Sequence, residues 1–145
     1  NLLNLSQSRF FSSPISAKES KDKTLWHIPL DSLLFSTKSI NIAKPKGFLK
    51  LNRGETSLVR INYPRNLLQL LQKPIEEKEL SPQDRFGIIR DAFMLSSSGN
   101  KTTVEALELM PFYRKDEDFM LAYPAFIAGW KAKTKYLLKK EVKQK

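Results

Sequence analysis

The spacing of apolar side chains changes period near the middle of the chain. Between Phe48 and Tyr63 it is two: Leu49 and Leu51 alternate with Lys50 and Asn52, and Val59, Ile61 and Tyr63 alternate with Arg60 and Asn62. A period of two belongs to an extended strand with one buried face, and the intervening Asn52-Arg53-Gly54 can supply the positive φ of a tight turn. The stretch therefore predicts a hairpin. From Pro64 onward the period lengthens to that of a helix. Pro64 suits a first turn, where its missing N–H is not needed, and Leu67, Leu68 and Leu71 fall on one stripe. A second helix is predicted after Ser81, an N-cap residue followed by Pro82 and by Asp84, an acid near the positive helix end. Its apolar face carries Phe86, Ile89, Ala92 and Phe93, and Gly99 is placed to stop it. Thr102-Thr103-Val104-Glu105 has the form of a capping box for a third helix, with Val104, Leu107 and Met110 on one side and its end near Pro111. Another helix is predicted to start after Asp116.

Upstream of Phe48 the chain reads as strands and loops. Leu3 and Leu5, followed by Arg9, Phe10 and Phe11, predict a strand entering a sheet. Residues 12–24, rich in serine, lysine and acids, predict a solvent loop. Residues 25–35 form a second strand region, in which Pro29 implies an edge or a bulge because it has no donor for a central ladder. A third short strand covers residues 39–43. With these elements before the helices, the fold class is α+β.

The formal charge of +10 would suit a polyanion partner, but the excess is concentrated in residues 131–145, where Glu141 is the only acid. A solvated helix face or a frayed tail accounts for it more simply. The absence of cysteine excludes a disulfide framework and a thiolate metal site, and it allows a cytoplasmic setting. No run approaches the roughly 20 apolar residues of a membrane span. The serine-rich, acid-free residues 1–18 superficially suggest a transit peptide, but Arg9 is the only basic residue before Lys18 and the strand pattern describes the segment better.

Candidate chemistry is sparse. The single histidine, His27, stands beside Trp26 in a strand region and reads as solvent-facing rather than as a ligand. The five glycines form neither a phosphate loop nor a dinucleotide fingerprint, and no nucleophile elbow is present. Asp84, Arg85 and Asp91 could be offered as an acid–base group, yet at helical spacing Asp84 and Arg85 are a first-turn charge and an ion-pair partner. Arg60 and Tyr63, at the strand-to-helix handover, are expected to tie sheet to helices. Catalytic and metal-ligating residues are therefore expected to be none, and Arg60, Tyr63, Asp84, Arg85 and Asp91 are expected to be structural or interdomain. Asn4-Leu5-Ser6 and Asn100-Lys101-Thr102 are glycosylation sequons, informative only for a secreted protein.

Five segments, in order and spacing, resemble the zinc aminopeptidases of the aminopeptidase N and puromycin-sensitive type. Residues 3–11, LNLSQSRFF, are similar to that family's L-x-L-S-Q-x-R-F strand, and Trp26-His27-Ile28-Pro29-Leu30 to its W-x-I-P-L strand. Phe48, Lys50, Leu51 and Asn52 match its K-L-N-like strand, and Arg60, Ile61, Asn62 and Tyr63 its R-V-N-Y segment. Asp84, Arg85, Gly87, Asp91, Ala92 and Phe93 match its D-R-x-G-L-x-N-D-A-F-like helix. The resemblance runs to about Phe119 and weakens where Ala122 replaces a usual tryptophan.

The resemblance implies a small antiparallel β-sandwich segment over residues 1–62 and the start of a C-terminal helical-repeat-like domain of antiparallel helices over 63–145. It also implies a non-catalytic part of an enzyme that removes N-terminal residues from peptides, serving as a spacer and a cavity-closing scaffold. Zinc would lie in the catalytic domain of the parent, held by an H-E-x-x-H motif that this chain lacks, so no cofactor is expected here. The expected partners are that catalytic domain and, in the full-length protein, a peptide substrate; neither nucleic acid nor a membrane segment is expected. The alternative is an autonomous basic module binding nucleic acid or an acidic partner through the Lys-rich tail. It lacks interleaved aromatics in a recognised RNA-binding motif, and its binding would collapse with salt. A two-sheet sandwich uses about seven strands and residues 1–62 offer about five, so the sandwich is expected to be incomplete, with an exposed edge that permits self-association.

Overall fold

Alternating burial defines four short strands in the first third of the chain. In the computed structural model, which describes residues 2–11 and 23–117, they are β1 (Leu2–Ser6), β2 (Ile28–Leu30), β3 (Leu33–Phe35) and β4 (Ser39–Ala43). β1 and β4 pair antiparallel with Leu3 opposite Ile42 and Leu5 opposite Ile40; these four are half-buried and their neighbours exposed. β2 and β3 form a separate two-stranded hairpin turning at Asp31, whose φ of 53° is one that aspartate tolerates. Pro29 lies opposite Leu34 in this ribbon, where among the described residues both strands are edges.

A buried glutamine seats the two sheets' connections. The Gln7 amide accepts the Trp26 N–H at 2.9 Å and donates to the carbonyls of Trp26 and Thr37 at 3.1 and 2.8 Å. Its backbone carbonyl takes the Lys38 ammonium at 2.7 Å. One side chain thus fixes the exit of β1, the approach to β2 and the link between β3 and β4.

The hairpin expected over residues 49–63 does not form. Its two arms carry no ladder, because side chains take amides that a ladder would use. The Leu51 N–H donates to the Tyr63 hydroxyl at 2.8 Å and the Ile61 N–H to Asp91 Oδ2 at 2.9 Å. Lys50, on the face the alternation marked as polar, is only 3% exposed. Between the arms, Asn52 is left-handed (φ 56°) and leads into a 3-10 turn, Arg53–Glu55, in which Gly54 has φ 67°. The Asn52 side chain closes the loop by accepting the Ser57 N–H at 2.8 Å and donating to the Ser57 carbonyl at 2.9 Å.

Helices follow: α1 (Arg65–Leu70), α2 (Gln72–Glu76), α3 (Pro82–Ser97) and α4 (Thr103–Leu107), then a second 3-10 turn at Met110–Tyr113. The leucine-rich helix is divided at Leu71, since Pro74 has no N–H to donate to the carbonyl four residues before it. Ser81 caps α3, its hydroxyl accepting the Asp84 N–H at 3.1 Å with Pro82 next in line. Gly99, with φ 82°, ends it, and the Asn100 N–H reaches back to the Leu95 carbonyl at 2.9 Å. Thr102 and Glu105 form the reciprocal capping box of α4.

Two apolar faces differ from expectation. On α3 the buried stripe is Ile88, Ile89, Ala92 and Leu95, with Phe86 and Phe93 half-buried on its margins. On α4, Val104 is 65% and Leu107 38% exposed, while Ala106 and Leu109 are buried. Ala106, Leu109 and Tyr113 form a competing stripe at i, i+3 and i+7, and burying it places the Tyr113 ring in the same core as Leu71 and Ile75. Strands first and helices after make the chain α+β. The helix expected after Asp116, the Lys-rich tail and most of the 12–24 loop lie outside the described residues.

Candidate functional site

α3 is buried on more than its apolar stripe. Asp84, Gly87 and Asp91 recur at i, i+3 and i+7, and this second face meets the loop of residues 50–61. Asp84 Oδ1 accepts the Gly54 N–H at 2.8 Å and lies 3.3 Å from the Lys50 ammonium; its other oxygen takes the Ser81 hydroxyl at 2.9 Å. Lys50 Nζ also donates to Glu55 Oε1 at 2.9 Å and to the carbonyls of Leu51 and Asn52 at 2.7 and 3.1 Å. Glu55 in turn is held by Arg90 at 2.5 Å, and Arg90 contacts Asp91 Oδ1 at 2.9 Å. Arg60 Nε stands 3.6 Å from the same Asp91 oxygen and has no hydrogen-bond partner among the described residues.

The junction is thus a chain of alternating charges, Asp84–Lys50–Glu55–Arg90–Asp91–Arg60, that joins α3 to the loop. Gly87 lies beneath it, and a Cβ there would stand 2.0 Å from Glu55 Oε1, so only a residue without a side chain lets the carboxylate approach the helix. Burial pushes the Asp91 carboxyl above its ordinary range, partly countered by the Ile61 N–H and by Arg90 and Arg60. Burial lowers the Arg90 value, but Asp91 and Glu55 outweigh it and raise the net value.

A second buried pair closes the helical side. Arg85 Nε and Nη2 meet the two Asp116 oxygens at 2.8 and 3.3 Å, and Nη1 donates to the Leu80 carbonyl at 2.7 Å. The Tyr113 hydroxyl donates to the Arg85 carbonyl at 2.7 Å. Asp84 and Arg85, adjacent in sequence, therefore serve two different clusters on two sides of α3.

These carboxylates already hold cations and amides, which leaves them poorly suited to a metal or a substrate. Among the described residues no group of three His, Cys, Asp or Glu side chains is placed to hold a metal ion, and His27 is exposed just before β2. The donor set does not fit zinc. A shallow cleft of about 270 Å³, spanned by the Arg65–Glu108 ion pair at 2.7 Å and lined by Leu68, Leu109 and Phe112, contains none of the five residues singled out from the sequence. Those five divide between the clusters: Asp84, Asp91, Arg60 and Tyr63 surround the loop, and Arg85 faces Asp116. The reading from residues alone missed Lys50, Glu55, Arg90, Asp116 and Gln7. Lys50 and Gly87 stood within matched motifs without a role, whereas Glu55, Arg90 and Asp116 carried no local signal.

The two buried phenols give the chain an alkaline limit. Burial raises the Tyr63 phenol well above its ordinary value, against the Leu51 N–H, with Asp91, Glu55 and Asp31 adding to the rise. Burial raises Tyr113 likewise, Arg85 opposing and Asp116 assisting. A raised folded-state value means that the folded chain keeps protons that the unfolded chain releases. The stabilisation is complete below about pH 10 and is lost as pH climbs toward the folded-state values, at about 1.4 kcal/mol per pH unit for each phenol. Urea denaturation between pH 9 and 11 should show this fall, and Tyr113→Phe should reduce its slope by about that amount. An unchanged slope would contradict the assignment.

A model of the ERAP1-like C-terminal domain family matches residues 48–134, which include the junction and α1 to α4. Aminopeptidase M1-B of rice (Oryza sativa subsp. japonica) is 34% identical over 86 residues, 57% of this chain and 10% of that protein. Aminopeptidase 2 of Candida albicans is 30% identical over 130 residues, 82% of this chain and 14% of the relative. Endoplasmic reticulum aminopeptidase 2 of Bos taurus is 26% identical over 147 aligned residues, 88% and 15% respectively. The chain thus spans between a tenth and a sixth of the length of these relatives. With the family model covering more than half of the chain, the chain belongs to the ERAP1-like C-terminal domain family of aminopeptidase N-type proteins.

Proposed function

We propose that this chain is a non-catalytic segment of a zinc-dependent aminopeptidase that removes N-terminal residues from peptides, and that it serves as spacer and cavity-closing scaffold. Residues 1–62 are its incomplete β-sandwich segment and residues 63–145 the start of its helical-repeat-like C-terminal domain. The observation that carries this reading is the ionic junction. It invests two arginines, a lysine and three carboxylates in holding one loop to α3 rather than in an open site. Arg60, Tyr63, Asp84 and Asp91 are the interdomain ties, and Arg85 locks the helical side.

Zinc belongs to the parent's catalytic domain, which is the proposed partner together with the peptide substrate; nucleic acid is not a partner. The family match supports this over a basic binding module, because it runs to residue 134 and so into the start of the Lys-rich stretch. Among the described residues no helix is long and apolar enough to cross a membrane. A cytoplasmic setting is the one we propose, and the lack of cysteine allows it; one relative's name places that relative in the endoplasmic reticulum. The β1 edge is open to self-association, since among the described residues β1 pairs with β4 alone.

Two measurements test the proposal. The coding sequence surrounding this chain should contain H-E-x-x-H, and the purified chain should hydrolyse no aminoacyl substrate with or without zinc. Stoichiometric zinc coupled to peptidase activity in the chain alone would overturn the reading.

A further inference from the structure

The cleft between the first two helices and the end of α4 brings opposite charges together over an apolar lining. Leu68 and Leu109 are almost wholly buried and line it with the half-buried Phe112. Arg65 and Glu108 span it with an ion pair at 2.7 Å, their side chains 63% and 40% exposed. Gln72 also lines the cleft; its amide nitrogen donates to Glu76 at 2.9 Å, which leaves its oxygen as an acceptor. None of these side chains belongs to the ionic junction or to the Arg85–Asp116 pair.

An ion pair so exposed contributes little to the fold, so a ligand can part it at small cost. Once parted, the guanidinium offers a planar fork to a carboxylate, and the Glu108 carboxylate accepts from an ammonium. A ligand of one charge would leave the other partner of the broken pair unmatched, which selects against it. In an α-amino acid the ammonium and the carboxylate sit on one carbon, so it can enter between two groups that already touch, each charge meeting its opposite. Size agrees: at about 270 Å³ the cleft falls just below the roughly 300–1,000 Å³ of pockets for drug-sized ligands.

We propose that this cleft binds a free α-amino acid with an apolar side chain. The carboxylate lies on Arg65, the ammonium on Glu108 and the Gln72 oxygen, and the side chain against Leu68, Leu109 and Phe112. This site goes beyond the function proposed above and does not depend on it.

Leucine titrated into the chain and followed by amide NMR should shift the Gln69 and Leu109 resonances saturably, with a midpoint on the order of 1 mM. Isocaproate lacks the ammonium, isoamylamine lacks the carboxylate and glycine lacks the side chain, and each should bind at least about tenfold more weakly. Glu108→Gln should weaken leucine about tenfold and strengthen isocaproate, because Arg65 is then unpaired. The ligand series on the unaltered chain decides the matter even where the variant proves unstable. Equal binding of any of the three probes and leucine would remove one of the three contacts and overturn the proposal. Shifts at Gln69 and Leu109 that grow without saturating for leucine would overturn it equally.

Discussion

Replacing Lys50 by methionine should destabilise the chain by about 3–5 kcal/mol, because it removes one partner of a buried charge cluster and leaves the others without compensation. The loss falls unevenly. Glu55 keeps Arg90 at 2.5 Å, but among the described residues the Asp84 carboxylate retains only the Ser81 hydroxyl and the Gly54 amide, with no cation. Methionine fills much of the volume of the lysine stem, so the cost is one of charge more than of a cavity. Adding Asp84→Asn should therefore recover at least about 1 kcal/mol, since asparagine still offers an oxygen to Gly54 but carries no stranded charge. Urea denaturation of the two single variants and the double variant gives the coupling. Additive losses would mean that Lys50 and Asp84 do not interact.

The second large effect is expected at Arg85. Arg85→Met should cost about 3–5 kcal/mol by taking the guanidinium away from the buried Asp116 carboxylate and from the Leu80 carbonyl. Arg85→Lys restores the charge but not the planar fork that meets both Asp116 oxygens and Leu80 at once, so it should recover only part of the loss. Full recovery by lysine would show that charge alone matters, and a loss below about 1 kcal/mol for methionine would contradict a stabilising Arg85–Asp116 pair.

What the sequence discloses about this fold is chiefly local. The caps at Ser81 and at Thr102 with Glu105 and the stop at Gly99 were readable because each is settled by residues within four positions. The strand at residues 39–43 was readable from its own alternation. The 49–63 hairpin was misread for a physical reason: alternation says that successive residues have different surroundings, not that the polar ones face water. Lys50 and Arg60 alternate correctly, yet Lys50 turns into carboxylates and Arg60 toward Asp91. The α4 stripe failed differently, since Val104-Leu107 and Ala106-Leu109-Tyr113 both satisfy the helical period and only the packing of the Tyr113 ring separates them. At the junction, Asp84 and Asp91 were visible as charges in a helix, but they bond the backbone amides of Gly54 and Ile61, 30 residues away in each case. An amide has no sequence signature, and Asp116 lies 31 residues from Arg85. Contacts of that kind appear only once the chain is folded.

Amide hydrogen exchange addresses the junction directly. If the α3 carboxylates hold the loop so that loop and helices open together, the Gly54 and Ile61 amides will exchange as slowly as those of Ile88 and Ile89, through global unfolding, and Asp91→Ala will release the Ile61 amide. Exchange of Gly54 and Ile61 at the rate of the open turn at Lys46 and Gly47, with α3 still protected, would contradict the account of this segment as one rigid scaffold.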